Sequence, residues 1–371
     1  MGVEQENRKK LGFGLMRLPK RDGVIDYEQV NAMVDAFLAD GYTYFDTAYV
    51  YEGSEEAFRR CIATRHPRDS YTVANKLPEW KLSETVSCDD LLNESLRRCG
   101  LDYFDFYLVH SLEEDHMEMC DRWDCFSFMK RAKADGRVRH IGFSFHGTPA
   151  LLEKLLSEHP EVEFVQLQIN YLDWDDPKIA AGECYRIARA HNVPIVVMEP
   201  VKGGTLANLT PEQKQVFDSF EEAGSPASLA VRYAGNLPGV FTVLSGMSNL
   251  EQVQDNLKTY DDLKPLTARE GVLIGRLVSL FRGTRSIGCT ACRYCTEGCP
   301  MGIRIPDIFA IYNRYLYDGD LAAAKASYEA LIQEGSSRAS DCIACGQCEG
   351  VCPQHLPIIE LLREVAEKIE G

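Results

Sequence analysis

YTYFD (42–46), YTVANK (71–76) and FDFYLVH (104–110) share one character. Each is a short run of β-branched and aromatic residues, set off by Gly, Pro, Asp or Asn and followed by a longer amphipathic stretch. The rhythm continues through HIGFS (140–144), FVQLQIN (164–170), IVVMEP (195–200) and VFTVLSG (240–246), with LKTYD (257–261) as a weaker eighth strand candidate. Helix-like patterns fall between them at 54–64, 85–99, 150–158, 177–191 and 227–235. Eight strand–helix units in series predict an α/β fold, a (β/α)8 TIM barrel. The rival, an open doubly wound sheet, normally carries a glycine-rich phosphate turn after its first strand. Here the only G-x-G, Gly12-Phe13-Gly14, precedes the first unit and no helical pattern follows it.

Working outward, the 371 residues are long enough for a barrel with an attachment. With 45% hydrophobic and 26% charged residues, the composition is that of a folded globular protein. A net charge of -16 repels phosphate backbones, so nucleic acid is not an expected partner. No apolar run approaches the roughly 20 residues of a membrane span, so no membrane is expected either. The opening MGVEQENRKK lacks the apolar centre of a secretory signal, and Glu6 stands where a myristoylation motif has Ser or Thr. The expected location is cytoplasmic.

After residue 262 the rhythm stops. Helical patterns follow at 269–280, 305–333 and 358–369, and between them lie two cysteine runs. Of 14 cysteines, eight fall in these runs. The remainder (Cys61, Cys88, Cys99, Cys120, Cys125, Cys184) read as small buried apolar side chains. The runs are Cys289-x2-Cys292-x2-Cys295-x3-Cys299-Pro300 and Cys342-x2-Cys345-x2-Cys348-x3-Cys352-Pro353. This is the bacterial iron–sulfur spacing, in which three close thiolates hold one cubane and the fourth, before proline, reaches the other. One [4Fe–4S] cluster is therefore expected on Cys289, Cys292, Cys295 and Cys352, and a second on Cys342, Cys345, Cys348 and Cys299. Zinc, the alternative for sets of four thiolates, usually takes two separated cysteine pairs. The domain expectation is a barrel over 1–270 and an all-α, ferredoxin-like iron–sulfur domain over 271–371.

Barrel enzymes keep their chemistry at the strand ends. Asp46, Lys76 and His110 close the first three runs, with Tyr51 five residues beyond Asp46. Singly, each has a plain explanation as a cap or a solvated charge; together, ionisable residues at three successive ends point to one site.

The arrangement resembles the aldo-keto reductase family. The likeness rests on Phe45-Asp-Thr-Ala-x-x-Tyr51-x-Gly-Ser-Glu55, the Lys76 strand end, Tyr-Leu-Val-His110, Ile-Gly-Phe-Ser144 and Gln166-x-Gln-x-Asn170. Gly203-Gly204 and the segment Gly246-Met-Ser-x-Leu-Glu-Gln-Val-x-Asp-Asn256 also match, and the cysteine tail resembles the family's ferredoxin-fused branch. The resemblance implies reversible hydride transfer between NAD(P)H and a small-molecule carbonyl or alcohol. Tyr51 would then be the general acid, with Lys76 favouring its phenolate, Asp46 holding Lys76, and His110 orienting the carbonyl oxygen. Tyr51 rather than Tyr49 has the family spacing from Asp46. Ser144 and Gln166 would hold the nicotinamide amide, with Met198, Gly203, Gly204, Gly246, Gln252 and Asn256 as further cofactor contacts.

Three positions depart from the family pattern. Phe145 replaces an Asn, Met198 stands where an aromatic ring often stacks, and Gly246, Met247 and Gln252 replace the Lys, Ser and Arg that grip a 2′-phosphate. The choice between NADH and NADPH stays open. Tyr49, Trp80, Tyr171 and Trp174 are candidate rim residues. A nicotinamide gives up two electrons as hydride whereas a cubane takes one. The clusters are thus structural in a carbonyl reductase, coupled to an electron-transfer protein, or part of a non-catalytic nucleotide-binding redox subunit. The complete Asp46–Tyr51–Lys76–His110 set argues against the last.

Overall fold

The computed structural model describes residues 3, 9–220, 224–283 and 286–371. Most of the opening MGVEQENRKK, including Glu6, lies outside them. Eight parallel strands close a barrel: β1 (Leu11–Gly14), β2 (Tyr44–Asp46), β3 (Thr72–Leu77), β4 (Phe104–Leu112), β5 (Val138–Phe145), β6 (Phe164–Gln168), β7 (Ile195–Met198) and β8 (Val240–Ser245). Neighbours in sequence are neighbours in the barrel, and β1 closes it by pairing with both β2 and β8.

Strand β1 corrects the sequence expectation. LKTYD (257–261) is not the eighth strand but the end of the helix Leu250–Asp261, which Asn249 caps by accepting the Gln252 N–H. Val253, Leu257 and Tyr260 bury one face at helical spacing. The eighth strand is Leu11–Gly14, holding the G-x-G that had seemed to lie outside the repeat. Gly12 is a glycine for packing: a Cβ there would stand 2.8 Å from Leu244 Cδ2 and from Thr242 Cγ2 on β8.

Helix boundaries also shift. The helix expected over 54–64 is Ser54–Phe58 followed by a π-turn, Arg59–Ala63, and that expected over 177–191 begins at Ala181. The pattern over 305–333 divides into Ile305–Asp318 and Leu321–Gln333. Gly319 stops the first in the left-handed region, and Asp320 caps the second by accepting the Ala323 N–H.

Inside the barrel, Tyr44, Ala74, Phe106, Leu108, Phe164, Val196, Phe241 and Leu244 fill the lumen. Phe106 meets Tyr44 at 5.0 Å between ring centroids and Phe164 edge-on at 5.4 Å. The opposite faces of the strands, with Phe13, Phe45, Val73 and Tyr107, pack on the surrounding helices. The lumen is a packed core, so any site must sit above it.

The chain divides into two compact units, residues 1–201 with 222–270, and residues 202–221 with 271–371. Segment 202–221, which the sequence assigns to the barrel, thus groups with the C-terminal residues. There Lys202 Nζ donates to Gln354 Oε1 at 3.0 Å, and Gly203 presses on Thr290 so closely that a Cβ would lie 2.7 Å from the Thr290 Cα. The second unit has its own core, with Ile305, Phe309 and Tyr312 packed against Tyr328, Leu331, Ile358 and Leu362. Among the described residues no helix is long and apolar enough to cross a membrane.

Candidate active site and cysteine-lined hollows

Side chains alternate along a strand, so a residue two beyond a lumen-filling one also points inward, one layer higher. Asp46 stands two beyond Tyr44, Lys76 two beyond Ala74, and His110 two beyond Leu108. The same parity carries Gln166 beyond Phe164 and Met198 beyond Val196. The strand period therefore brings the candidate residues to one layer capping the core.

In that layer Lys76 Nζ donates to Asp46 Oδ1 at 2.6 Å and to the Thr47 carbonyl at 2.8 Å. The ammonium stands 4.8 Å from the centre of the Tyr51 ring, and the His110 ring meets Tyr51 edge-on at 5.9 Å. Lys76 is 0%, Asp46 3% and His110 3% exposed. Burial pushes the Asp46 carboxyl up and the Lys76 ammonium down, each opposed by the other's charge and their hydrogen bond. Burial also drives His110 well below the ordinary imidazole range, with Lys76 and then His146 and His116 acting in the same direction. His110 is thus a neutral hydrogen-bonding ring at neutral pH. Asp46 Oδ2 has no hydrogen-bond partner among the described residues.

The rest of the 45–55 motif supports this group. Thr47 Oγ1 and Ser54 Oγ share a hydrogen bond of 2.7 Å across the loop that carries Tyr51. Glu55 Oε1 accepts from Asn75 Nδ2 at 2.9 Å, and Asn75 Oδ1 accepts the Lys76 N–H at 2.7 Å. Arg98 ties down the other Glu55 oxygen at 3.1 Å.

Across the layer, Ser144 Oγ accepts the Ser111 N–H at 2.7 Å, leaving its own O–H to donate. Ser111 is held at φ 54°, a conformation that a non-glycine residue seldom adopts. Gln166 Nε2 lies 3.5 Å from Met198 Sδ, while Gln166 Oε1 is buried with no partner among the described residues. A hydroxyl donor beside an unused amide oxygen is complementary to a carboxamide, which offers one acceptor and one N–H pair. Asn256 donates to Ser245 Oγ at 2.9 Å. Gln252 is occupied in its own loop, its Oε1 accepting the Ser248 N–H at 2.7 Å. Gly246 carries the Arg17 side chain against it, and the Arg17 guanidinium lies 3.1 Å from Glu199.

In the second unit, two hollows are lined by cysteines. Cys289, Cys292, Cys295 and Cys352 share one, and Cys299, Cys342, Cys345 and Cys348 share the other. The two runs fold alike, in register at a spacing of 53. Ala291 and Arg293 take left-handed conformations, as do Ala344 and Gly346. A one-turn helix follows in each, Tyr294–Glu297 and Gln347–Gly350. Such turns aim backbone N–H groups at sulfur, as Ala291 does at Cys289 Sγ, 3.4 Å. Four thiolates around a hollow, three from one closely spaced run and the fourth from the residue before proline in the other run, suit an iron–sulfur cluster.

Comparison with known proteins agrees with both halves. The aldo/keto reductase family model matches residues 10–271, and a 4Fe-4S dicluster domain model matches 288–356. The chain belongs to the aldo/keto reductase family. An aldo-keto reductase of Mycobacterium avium is 31% identical over 274 residues, 72% of this chain and 87% of its own length. L-galactose dehydrogenase of Arabidopsis thaliana is 23% identical over 275 residues, 69% of this chain and 85% of its own. Among solved structures, the holo form of aldo-keto reductase AKR11C1 from Bacillus halodurans has a TM-score of 0.59 at 24% identity, covering 72% of this chain and 91% of its own. The Klebsiella pneumoniae aldo-keto reductase in complex with NADPH has a TM-score of 0.58 at 21% identity, covering 72% and 90%.

Trp80, a candidate rim residue, brings with it Glu79, Glu113 and His116, which sequence reasoning did not single out. Trp80 lies between two imidazoles, 5.2 Å from His110 and 5.1 Å from His116. His116 Nδ1 contacts the Ser111 carbonyl at 2.8 Å and the buried Glu79 at 3.1 Å. Burial pushes the carboxyl of Glu79 up and that of neighbouring Glu113 to about 7. Of the four rim aromatics, Trp80 is the one that stacks near His110. Tyr49 stacks on Arg98, and Tyr171 and Trp174 pack on Tyr233. Gly203 is required by its packing on Thr290, and Gly204 follows it at φ 99° in the second unit. The six scattered cysteines are buried, as expected of apolar packing residues.

Proposed function

We propose that this aldo/keto reductase uses NADH or NADPH to reduce an aldehyde or ketone to an alcohol, and that its C-terminal unit carries two [4Fe–4S] clusters. The observation that carries the reading is the convergence of Asp46, Tyr51, Lys76 and His110 in one layer on the packed lumen. When bound, a reduced nicotinamide supplies hydride to the carbonyl carbon. The chain's own task is to hold that carbonyl and deliver a proton to its oxygen as negative charge develops there. Tyr51 is the proton donor. Lys76, fixed by Asp46 and the Thr47 carbonyl, keeps a positive charge beside the Tyr51 ring and so favours release of that proton. His110, held neutral, orients the carbonyl oxygen through a single N–H and does not compete as an acid. The Ser144 hydroxyl and Gln166 Oε1 hold the carboxamide of the coenzyme. Arg17, beside Gly246, supplies a cation near the loop where Gly246, Met247 and Gln252 supply none.

For the clusters, the swapped cysteine sets and the repeated loop geometry support one cubane per hollow. Cys295, Cys348 and Cys352 are themselves part of the second unit's core. With cluster ligands built into that core, cluster binding is coupled to the folding of the unit.

The test is Tyr51→Phe. Carbonyl turnover falls on the order of 10²–10⁴-fold while iron content and coenzyme binding stay at wild-type levels. Undiminished turnover in that variant removes Tyr51 from the proton-donor role.

A further inference from the structure

The two hollows differ in their electrostatics. The wall of the one shared by Cys299, Cys342, Cys345 and Cys348 is otherwise apolar, with Met301, Ile303, Ile343 and Leu362, and among the described residues lining it there is no cation. Ile343, 60% exposed, and the exposed Cys345 turn that hollow toward solvent. The hollow shared by Cys289, Cys292, Cys295 and Cys352 is lined by Arg293, whose guanidinium is paired with Asp307 at 2.7 and 2.9 Å, and by Gln354, whose Oε1 accepts from Lys202 Nζ at 3.0 Å. Lys202 Cε also lies 4.0 Å from where a Cβ on Gly288 would stand, immediately before Cys289. The lysine is therefore bonded beside one end of this ligand set and passes near the other. Lys202 is 9% and Gln354 7% exposed, and Lys202 is held at φ 48°, the left-handed region that non-glycine side chains avoid. A strained backbone and an anchored, buried ammonium are not needed to pack a surface segment.

We infer that Lys202, placed by Gln354, sets the reduction potential of the cluster bound by Cys289, Cys292, Cys295 and Cys352 and makes it the higher-potential member of an unequal pair. The reduced cluster carries one more negative charge than the oxidised. A fixed cation in a low-dielectric surround stabilises it selectively. The lower-potential cluster, beside the exposed Cys345, then faces the donor or acceptor outside, and an electron admitted there settles on the Lys202 side. Lys202 is a positioning charge that acts on the cluster through space. The inference rests on the two-cluster reading above.

The experiment is an EPR-monitored redox titration of the full-length, anaerobically purified protein, with iron and sulfide measured on the same sample. Dithionite supplies one electron per cluster, taking one Fe(III) to Fe(II) with no bond made or broken. Wild type binds about eight irons and shows two one-electron waves at different potentials. Lys202→Met lowers the higher wave by about 59 mV or more, a tenfold change in the reduced-to-oxidised ratio, and moves the lower wave less. Lys202→Arg retains the higher wave, and Lys325→Met, at a half-buried lysine of the same unit that donates to the Gly371 carbonyl, moves neither. Gln354→Leu, which removes the Gln354 hydrogen bond to the lysine and leaves its charge, lowers the same wave and serves as the test if Lys202→Met fails to load iron. A higher wave unmoved in both variants, or both waves displaced equally, overturns the inference. Fewer than about eight irons in wild type overturns the two-cluster reading beneath it.

Discussion

Replacing Lys76 by methionine tests the centre of the site. The change leaves Asp46, 3% exposed, as a buried carboxylate with its counter-ion gone. Breaking such a pair from one side costs about 3–5 kcal/mol, which for a unit of this size lowers the melting temperature by roughly 10 °C. Asp46→Asn strands the ammonium and has a similar cost. The double variant Asp46→Asn/Lys76→Met buries no charge and recovers most of the loss, so the two effects are far from additive. All three tryptophans, Trp80, Trp123 and Trp174, lie in the first unit, so intrinsic fluorescence during urea unfolding reports on that unit alone. The pH dependence adds a signature. In Lys76→Met the Asp46 carboxyl keeps the upward push of burial and loses the opposing ammonium. The folded state then holds the proton more tightly than the unfolded chain. The variant is most stable below the ordinary carboxylate pKa of about 4 and loses stability as pH rises above it. Catalysis falls independently. A charge 4.8 Å from the Tyr51 ring contributes about 3 kcal/mol at an effective dielectric near 20, or a few hundredfold in turnover. If either single variant unfolds within about 1 kcal/mol of wild type, or if the two losses simply add in the double variant, the buried coupled pair described here is refuted.

Other outcomes follow from the same structure. Glu113, pushed up to about 7 by burial, holds its proton more tightly when folded, so its contribution to stability is present below about pH 4 and is lost as pH rises through about 7; Glu113→Gln flattens that part of a melting-temperature–pH profile. Gly12→Ala forces a methyl against Leu244 and Thr242 and destabilises the first unit by about 1–3 kcal/mol in urea unfolding, without changing iron content. Stripping the clusters with chelator under oxidising conditions unfolds the helices of the second unit, seen as lost far-ultraviolet circular dichroism, while tryptophan fluorescence from the first unit is unchanged. A C-terminal unit that keeps its helicity without iron contradicts the structural role of the clusters.

What could be read in advance tracks how local each signal is. Seven of the eight barrel strands were visible because buried parallel strands are continuous β-branched and aromatic runs. Strand β1 was missed because half of LGFG is glycine. Its glycine at 12 reflects a close approach to β8 that lies far off in sequence. LKTYD was misread because a fragment of a helix short enough to show one turn also fits an extended pattern. Asp46, Lys76 and His110 were legible as polar ends of apolar runs, and the strand period is why they meet. Glu79, His116 and Glu113 carried no comparable local mark. Their role beside Trp80 arises from loops that follow different strands.

The barrel's periodicity, the polar residues at its strand ends and the cysteine spacing that implies two cradles with exchanged fourth ligands are all legible in the chain alone. All of these are written in residues a few positions apart. Only the tertiary structure decided which strand closes the barrel, that segment 202–221 joins the cluster unit, and that Lys202 reaches Gln354 across 152 positions of chain. The physical reason is that periodicity and ligand spacing are properties of a short stretch of backbone. Closure, close approach and the burial of a charge depend on where distant stretches come to rest against each other.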